Sequence, residues 1–204
     1  MRRFLLFSCL LSASPALAHI PYIEHRDYSA GKPFMVTDSI ENSKAIYSWF
    51  KDGQDVDVIQ FDVVEPVRLL TNSLVPVCPG YEELLPAFAV VGPGLPFPEE
   101  TLPFDLPDGY GAIVVDNVEP GAEREVIYEP VGGKSYYNGP IFDQDISEPG
   151  TWYLYSWDPY EMGGDYVAVT GFEEGLFQTG DLMRSIVNTA VVRQDGELHV
   201  DCPQ

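Results

Sequence analysis

The sequence predicts an all-β protein, specifically an antiparallel jelly-roll-like β-sandwich with a long proline-rich loop insertion. Short runs of alternating apolar and polar residues recur along the chain, and glycine and proline separate them. Hydrophobic residues make up 45% of the chain and aromatic residues 13%, which is enough to build a core. Only residues 181–188 show a helical pattern.

The first half of the chain contains most of the predicted strands. Ile59, Phe61 and Val63 would share one face of their strand, because side chains alternate with a period of two. Lys51-Asp52-Gly53 predicts a turn before it. The predicted strands are 34–36, 45–50, 56–64, 67–77, 88–91, 112–115 and 125–128.

Later strands follow the same alternation. Residues 151–157 place Trp152, Leu154 and Ser156 on one side, and Tyr153, Tyr155 and Trp157 on the other. Gly163-Gly164 predicts a hairpin that leads into a strand over 166–170. A final strand is predicted over 197–200.

The proline-rich loop is predicted over residues 92–109. Its five prolines lack the backbone N–H that a strand needs for its ladder. Four apolar side chains should cover the core from it, namely Leu95, Phe97, Leu102 and Phe104. Loops of this length are often functional or partner-binding.

The N-terminus has the pattern of a cleaved secretory signal peptide. Arg2-Arg3 precede an apolar run that is too short to cross a bilayer, and the segment ends Ala16-Leu17-Ala18. We therefore expect residues 1–18 to be removed and residues 19–204 to form one β-sandwich domain. The protein is predicted to be periplasmic or secreted.

The charge is strongly negative, with 32 acidic and 11 basic residues and a formal net charge of −21. Such a surface repels nucleic acids and anionic membranes. It attracts cations, although a simple solvated acidic coat also fits. We therefore expect a small cation or another exported protein as partner, and no nucleic acid. We also expect no membrane span, because no second apolar segment reaches the length of one.

Two cysteines remain after the leader, which contains Cys9. In an oxidising compartment, Cys78 and Cys202 are predicted to form one disulfide. They could instead bind a soft metal, but neither lies in a C-x-x-C spacing.

Three segments together resemble the bacterial pre-peptidase C-terminal (PPC-like) domain family. They are Gly53-Gln54-Asp55-Val56-Asp57-Val58-Ile59-Gln60-Phe61, Glu148-Pro149-Gly150-Thr151-Trp152-Tyr153-Leu154 and Gly163-Gly164-Asp165-Tyr166-Val167-Ala168-Val169. Their order is also that of the family, and the resemblance covers about residues 40–172. It implies a jelly-roll-like sandwich that accompanies exported enzymes or stands alone, sometimes binds Ca²⁺ and has no catalytic activity of its own. The proline-rich insertion departs from the family pattern.

Copper is one candidate ligand, because cleavage after Ala18 would leave His19 at the N-terminus. A terminal histidine can chelate copper through its amine and its ring, as in histidine-brace proteins, and His25 or His199 would add a further nitrogen. The alternative is an exposed histidine that binds nothing.

Calcium is the other candidate metal. Asp55 and Asp57 flank the start of a strand, Asp143 and Asp145 form a second D-x-D, and Asp158 and Asp165 bracket Gly163-Gly164. Loop carboxylates suit Ca²⁺, but aspartate is also favoured in turns for its hydrogen bonds to the backbone.

Tyr153, Tyr155 and Trp157 form a third candidate site, a platform on which a sugar ring would stack, unless they belong to the core. Neither G-x-S-x-G nor H-E-x-x-H occurs in the sequence. The sequence thus predicts an exported non-catalytic binding or accessory protein with a structural calcium site. The alternatives are a periplasmic copper-binding protein and a carbohydrate-binding module.

Overall fold

A computed structural model describes residues 19–130, 132–173 and 179–194 of the protein. These residues form eleven strands and one helix. The elements are β1 (Ile20–Ile23), β2 (Phe34–Met35), β3 (Lys44–Phe50), β4 (Val56–Val63), β5 (Val67–Pro76), β6 (Ala87–Pro93), β7 (Tyr110–Val115), β8 (Val126–Glu129), β9 (Lys134–Ile146), β10 (Gly150–Trp157), β11 (Gly164–Thr170) and α1 (Thr179–Gln194).

The strands form two sheets, which confirms the predicted β-sandwich. One sheet has six strands in the order β1-β3-β11-β5-β9-β8, and the other has five in the order β2-β4-β10-β6-β7. Within them, β3-β11-β5-β9 and β4-β10-β6-β7 are the two four-stranded layers of a jelly roll. The edge pairs β1–β3 and β2–β4 are parallel, so the sandwich is not wholly antiparallel.

The core lies between the two sheets and follows the predicted alternation. Ile59, Phe61 and Val63 are all buried in it. Trp152 and Leu154 of the adjacent β10 join the same cluster. Each large apolar side chain that is fully buried contributes about 1.5–3 kcal/mol, so this interface accounts for much of the stability.

Two strands were not predicted from the sequence, β1 and β9. The pair Gly139-Pro140 interrupts the pattern of β9, and the register with β5 shifts at this point, between Asn72 and Leu74. A Cβ atom at Gly139 would lie 2.5 Å from the carbonyl oxygen of Ser73, so glycine permits the close approach at this irregularity.

The predicted hairpin at Gly163-Gly164 is wrong. These two glycines have positive φ angles of 69° and 136°, and they carry the chain from one sheet to the other. β11 consequently pairs with β3 and β5 rather than with β10. A two-glycine turn has the same sequence signature whether it joins two paired strands of one sheet or connects one sheet to the other. The packing of the sheets decides between these two arrangements.

The proline-rich loop connects β6 to β7, as predicted. Phe104 stacks on Tyr155 with a centroid separation of 4.0 Å, and Leu95 and Leu102 pack against the core clusters. Phe97 is 78% exposed, so the prediction that it covers the core is wrong.

The helix is longer than predicted and packs against β1 on the outer face of the six-stranded sheet. Val192 is its buried contact with that face. The predicted leader (1–18) and the predicted strand 197–200 lie outside the described residues. Among the described residues, no helix has both the length and the hydropathy needed to cross a membrane.

Candidate functional site

A cluster of carboxylates lies where the segment after β1 meets the start of β4. The carbonyl oxygen of Tyr28 accepts a hydrogen bond from the backbone N–H of Val58 at 2.5 Å, which fixes the loop after β1 against β4. This contact brings acidic residues that are distant in sequence to one end of the sandwich.

Asp57 is the buried member of the cluster, with 2% of its surface exposed. By the alternation of β4 it points the same way as Ile59 and Phe61, between the sheets. The hydroxyl of Tyr166 on the facing sheet donates to its Oδ2 at 2.9 Å. Its other oxygen, Oδ1, is buried and accepts no well-formed hydrogen bond among the described residues, although the backbone of Tyr28 is close enough to offset part of the rise that burial causes in the pKa of the carboxyl group. A buried carboxylate oxygen without a partner is costly unless a ligand satisfies it.

Asp27 and Asp55 complete a group of three around Asp57. One carboxylate oxygen from each residue lies within 4.8 Å of the others. Asp55 is oriented by the backbone N–H of Lys51, which donates to its Oδ2 at 2.7 Å. The sequence predicted Asp55 and Asp57 and missed Asp27, because the loop after β1 comes close to β4 only in the folded chain.

Glu24 is a further buried carboxylate near this group, and no sequence pattern indicated its role. Its two oxygens accept backbone N–H groups from Tyr28 at 3.0 Å and from Trp49 at 3.2 Å. It thereby ties the segment after β1 to β3.

Burial, and to a lesser degree the repulsion from neighbouring carboxylates, raises the pKa values of Glu24, Asp57 and Asp55. Burial is the main cause for Glu24, whose pKa rises to about 8, and the negative charge of Asp57 adds to it. Burial likewise raises the pKa of Asp57 to about 7 against the lowering effect of the Tyr166 hydroxyl, and Asp55 and Asp27 raise it further. The pKa of Asp55 is raised by burial and, to a lesser degree, by Asp27 and Asp52.

A bound cation would relieve this repulsion. Among the described residues, no basic side chain forms an ion pair with Asp27, Asp55 or Asp57. All the donor atoms of the group are carboxylate oxygens, the ligands that hard cations such as Ca²⁺ prefer, and histidine and cysteine are absent from it. The arrangement therefore fits a calcium ion better than a softer transition metal.

Asp158 and Asp165 do not join the group of three. The carboxylate of Asp158 accepts the backbone N–H groups of Tyr160, Met162 and Gly163 at 3.1, 2.7 and 3.1 Å, so it stabilises a turn. Asp165 is buried and accepts the hydroxyl of Tyr81 at 3.2 Å. Neither aspartate therefore belongs to the group of three carboxylates around Asp57, although the calcium hypothesis combined both with Asp55 and Asp57.

The second D-x-D lies on the exposed part of β9. Arg68 contacts both oxygens of Asp143 at 2.7 Å, and this ion pair lowers the pKa of the Asp143 carboxyl. Arg68 thus neutralises the negative charge of Asp143 that would attract a cation. Neither Asp143 nor Asp145 belongs to a group of three possible metal ligands among the described residues.

His19 and His25 lie at opposite ends of β1. The strand between them is extended at about 3.3 Å per residue, so the two rings do not converge on one metal ion. Nδ1 of His19 is hydrogen-bonded to the Ser43 hydroxyl, and neither histidine belongs to a group of three potential ligands in the part of the chain that the structure describes. The structure does not bring this pair together, and His199 lies outside the described residues, so copper binding at His19 stays a prediction.

The aromatic face of β10 lies under the proline-rich loop. Tyr155 is buried, and Phe104 covers its ring, so a sugar cannot stack there. Tyr153 packs at an angle against Tyr110 and Tyr155 and is half-buried. Trp157 is half-buried and packs edge-on against Phe104, with ring centroids 5.7 Å apart. The three rings therefore do not form one open platform.

Cys78 is buried and belongs to the main core cluster. Its predicted partner, Cys202, lies outside the described residues, so the disulfide stays a prediction.

Comparison with known proteins finds matches among solved structures only. No protein-family model matches the chain, and no curated protein matches it. Among solved structures, it is similar to the pre-peptidase C-terminal domain of a collagenase from Bacillus anthracis. The identity is 14%, the TM-score is 0.36, and the match covers 72% of this chain and 99% of that one.

Proposed function

We propose that this chain is an exported, non-catalytic accessory β-sandwich whose structure is stabilised by a calcium ion bound to Asp27, Asp55 and Asp57. The observation that carries the proposal is the buried Oδ1 of Asp57, which accepts no well-formed hydrogen bond among the described residues and lies within a group of three carboxylates. The expectation of export comes from the leader pattern in the sequence.

The role of the ion would be structural. Asp27 belongs to the loop after β1, Asp55 to the turn between β3 and β4, and Asp57 to β4 itself. An ion shared by these residues would join two loops to the end of the sandwich. Three carboxylates supply part of the six to eight oxygens that Ca²⁺ requires, and carbonyl groups and water would supply the rest.

Calorimetric titration with CaCl₂ and thermal unfolding with and without EDTA test the proposal. A ligand at 100 times its Kd stabilises the folded state by about 2.7 kcal/mol. For a domain of this size, the Tm should therefore rise by about 5–10 °C. An unchanged Tm together with no heat of binding would overturn the calcium site.

The variant Asp57→Asn gives a sharper test, because its two effects have opposite signs. With EDTA near pH 8 it should be at least as stable as the wild type, since it removes a buried charge that only Tyr166 partners among the described side chains. In CaCl₂, Asp57→Asn should lose most of the stabilisation that the calcium ion gives to the wild type. Asp105→Asn, an exposed change in the proline-rich loop, is the matched control and should keep the full calcium response.

A further inference from the structure

A cleft of about 550 Å³ lies beside the carboxylate cluster. Three segments surround it, namely the turn between β3 and β4, the turn between β10 and β11, and the part of the proline-rich loop around residues 101–103. Trp157, at the end of β10, contributes the one aromatic side chain of its described lining.

The two turns are held against each other, so this part of the cleft is formed in advance. A Cβ atom at Gly53 would lie 2.2 Å from the carbonyl oxygen of Glu161, which shows that the two backbones touch. Three backbone N–H groups of the second turn are bonded to the carboxylate of Asp158. A site whose shape exists before binding loses less entropy when a ligand enters.

The chemistry of the lining is acidic and aromatic. Asp55, Asp158 and Glu161 line the cleft, and no basic residue does among those that the structure describes. Trp157 is fixed by its edge-on contact with Phe104. Tryptophan is the aromatic side chain that attracts cations most strongly, and a carboxylate can bind a planar guanidinium group through two hydrogen bonds.

We propose that this cleft binds an arginine side chain from a basic segment of another exported protein. The guanidinium group would lie against Trp157 and donate hydrogen bonds to Glu161. Arginine suits the site better than lysine, because its planar group both stacks on an aromatic ring and pairs with a carboxylate. The net charge of −21 would attract such a segment from a distance.

This inference rests on the proposed accessory role, for which it names the chemistry of the partner, but it does not depend on calcium. Asp55 belongs both to the lining of the cleft and to the proposed calcium group, whereas Asp158 and Glu161, the residue that would pair with the guanidinium group, lie outside that group. Binding to the cleft is therefore measured both in EDTA and in CaCl₂, while the calcium site is tested by its own titration. Either result can fail without the other.

The test uses the intact protein and two capped tripeptides, Ac-Gly-Arg-Gly-NH₂ and its citrulline counterpart, which is neutral and nearly the same shape. NMR follows the indole N–H signal of Trp157, assigned with the variant Trp157→Phe. We expect the arginine peptide to shift this signal and to bind about tenfold more tightly than the citrulline peptide. Glu161→Gln should weaken binding of the arginine peptide about three- to tenfold, and Glu99→Gln, an exposed change outside the cleft, should not.

Three results would overturn the proposal. The first is equal binding of the two peptides, or binding of neither. The second is an equal effect of Glu161→Gln and Glu99→Gln. The third is a shift of the Trp157 signal by a neutral oligosaccharide, such as cellohexaose, without one by the arginine peptide. That third result would favour a carbohydrate ligand instead.

Discussion

Tyr166 donates its hydroxyl hydrogen to Oδ2 of Asp57 across 2.9 Å, and this bond joins β11 of one sheet to β4 of the other. Both residues are 2% exposed, and the ring of Tyr166 stacks on Phe50 with a centroid separation of 4.3 Å. Burial and the charges of Asp57 and Glu24 raise the pKa of the Tyr166 hydroxyl, so it stays protonated and donates. The jelly roll therefore positions a buried acid at the end of its core.

Removal of this bond should be costly. Tyr166→Phe keeps the stacked ring but leaves Asp57 without the side-chain donor that the structure shows, and we expect the free energy of unfolding to fall by about 1–3 kcal/mol. Urea unfolding followed by fluorescence measures the change. Tyr153→Phe is the control, because this half-buried residue should tolerate the loss of its hydroxyl within about 0.5 kcal/mol. Equal effects of the two variants would contradict a special role for the bond.

Stability in EDTA should fall as the pH rises from about 4 to about 8. The pKa of Glu24 rises from 4.5 to about 8 on folding and that of Asp57 from 3.8 to about 7, in both cases mainly through burial. The folded state thus holds more protons than the unfolded state in this window, and the stability that these groups contribute at low pH is lost as they ionise. Urea unfolding at several pH values measures the slope. A free energy of unfolding that stays constant or rises between about pH 4 and pH 8 would contradict the buried environments of Glu24 and Asp57.

The contact between the two turns makes Gly53 sensitive to substitution. In Gly53→Ala, the added methyl group would meet the backbone of Glu161, so we expect destabilisation by about 1–3 kcal/mol. Gly31→Ala is the matched control, since a Cβ atom placed there would have nothing within 4 Å, and it should be neutral or slightly stabilising. Thermal unfolding distinguishes the two, and a harmless Gly53→Ala would mean that the turns can move apart.

Export and the disulfide can be tested together. Protein recovered from the periplasm or medium should begin at His19 by N-terminal sequencing, and its intact mass should match an oxidised pair of Cys78 and Cys202. Reduction or a Cys202→Ala change should lower stability by about 3–5 kcal/mol, the value expected for so long a closed loop. A precursor that keeps residues 1–18, or two free thiols in the exported protein, would contradict the prediction.

The period of two was sufficient to predict most strands and the faces that they bury. It found β4 and β10 because their core residues alternate without interruption, as Ile59, Phe61 and Val63 show. It missed β9, where Gly139-Pro140 breaks the pattern at an irregularity that only the pairing with β5 explains. The period of two also does not indicate which sheet the strand after Gly163-Gly164 joins, because the choice of sheet depends on packing across the core.

The candidate site was predictable only in part, for a similar reason. Asp57 follows the same alternation as the core residues of β4, so its inward direction is implied by the sequence. Asp27 and Glu24 belong to a segment that reaches β4 through the bond between Tyr28 and Val58, and no local pattern signals this contact. The aromatic face of β10 was correctly placed, but only the fold shows that Phe104 covers Tyr155.

The most direct test of the calcium site is a crystal structure determined from crystals of the protein grown with CaCl₂. We predict an anomalous difference peak at the carboxylate cluster, with oxygen atoms of Asp27, Asp55 and Asp57 about 2.3–2.6 Å from the ion. The Oδ1 atom of Asp57 should be among its ligands. An ordered cluster with no peak at saturating CaCl₂, or a calcium ion bound only elsewhere, would contradict the account.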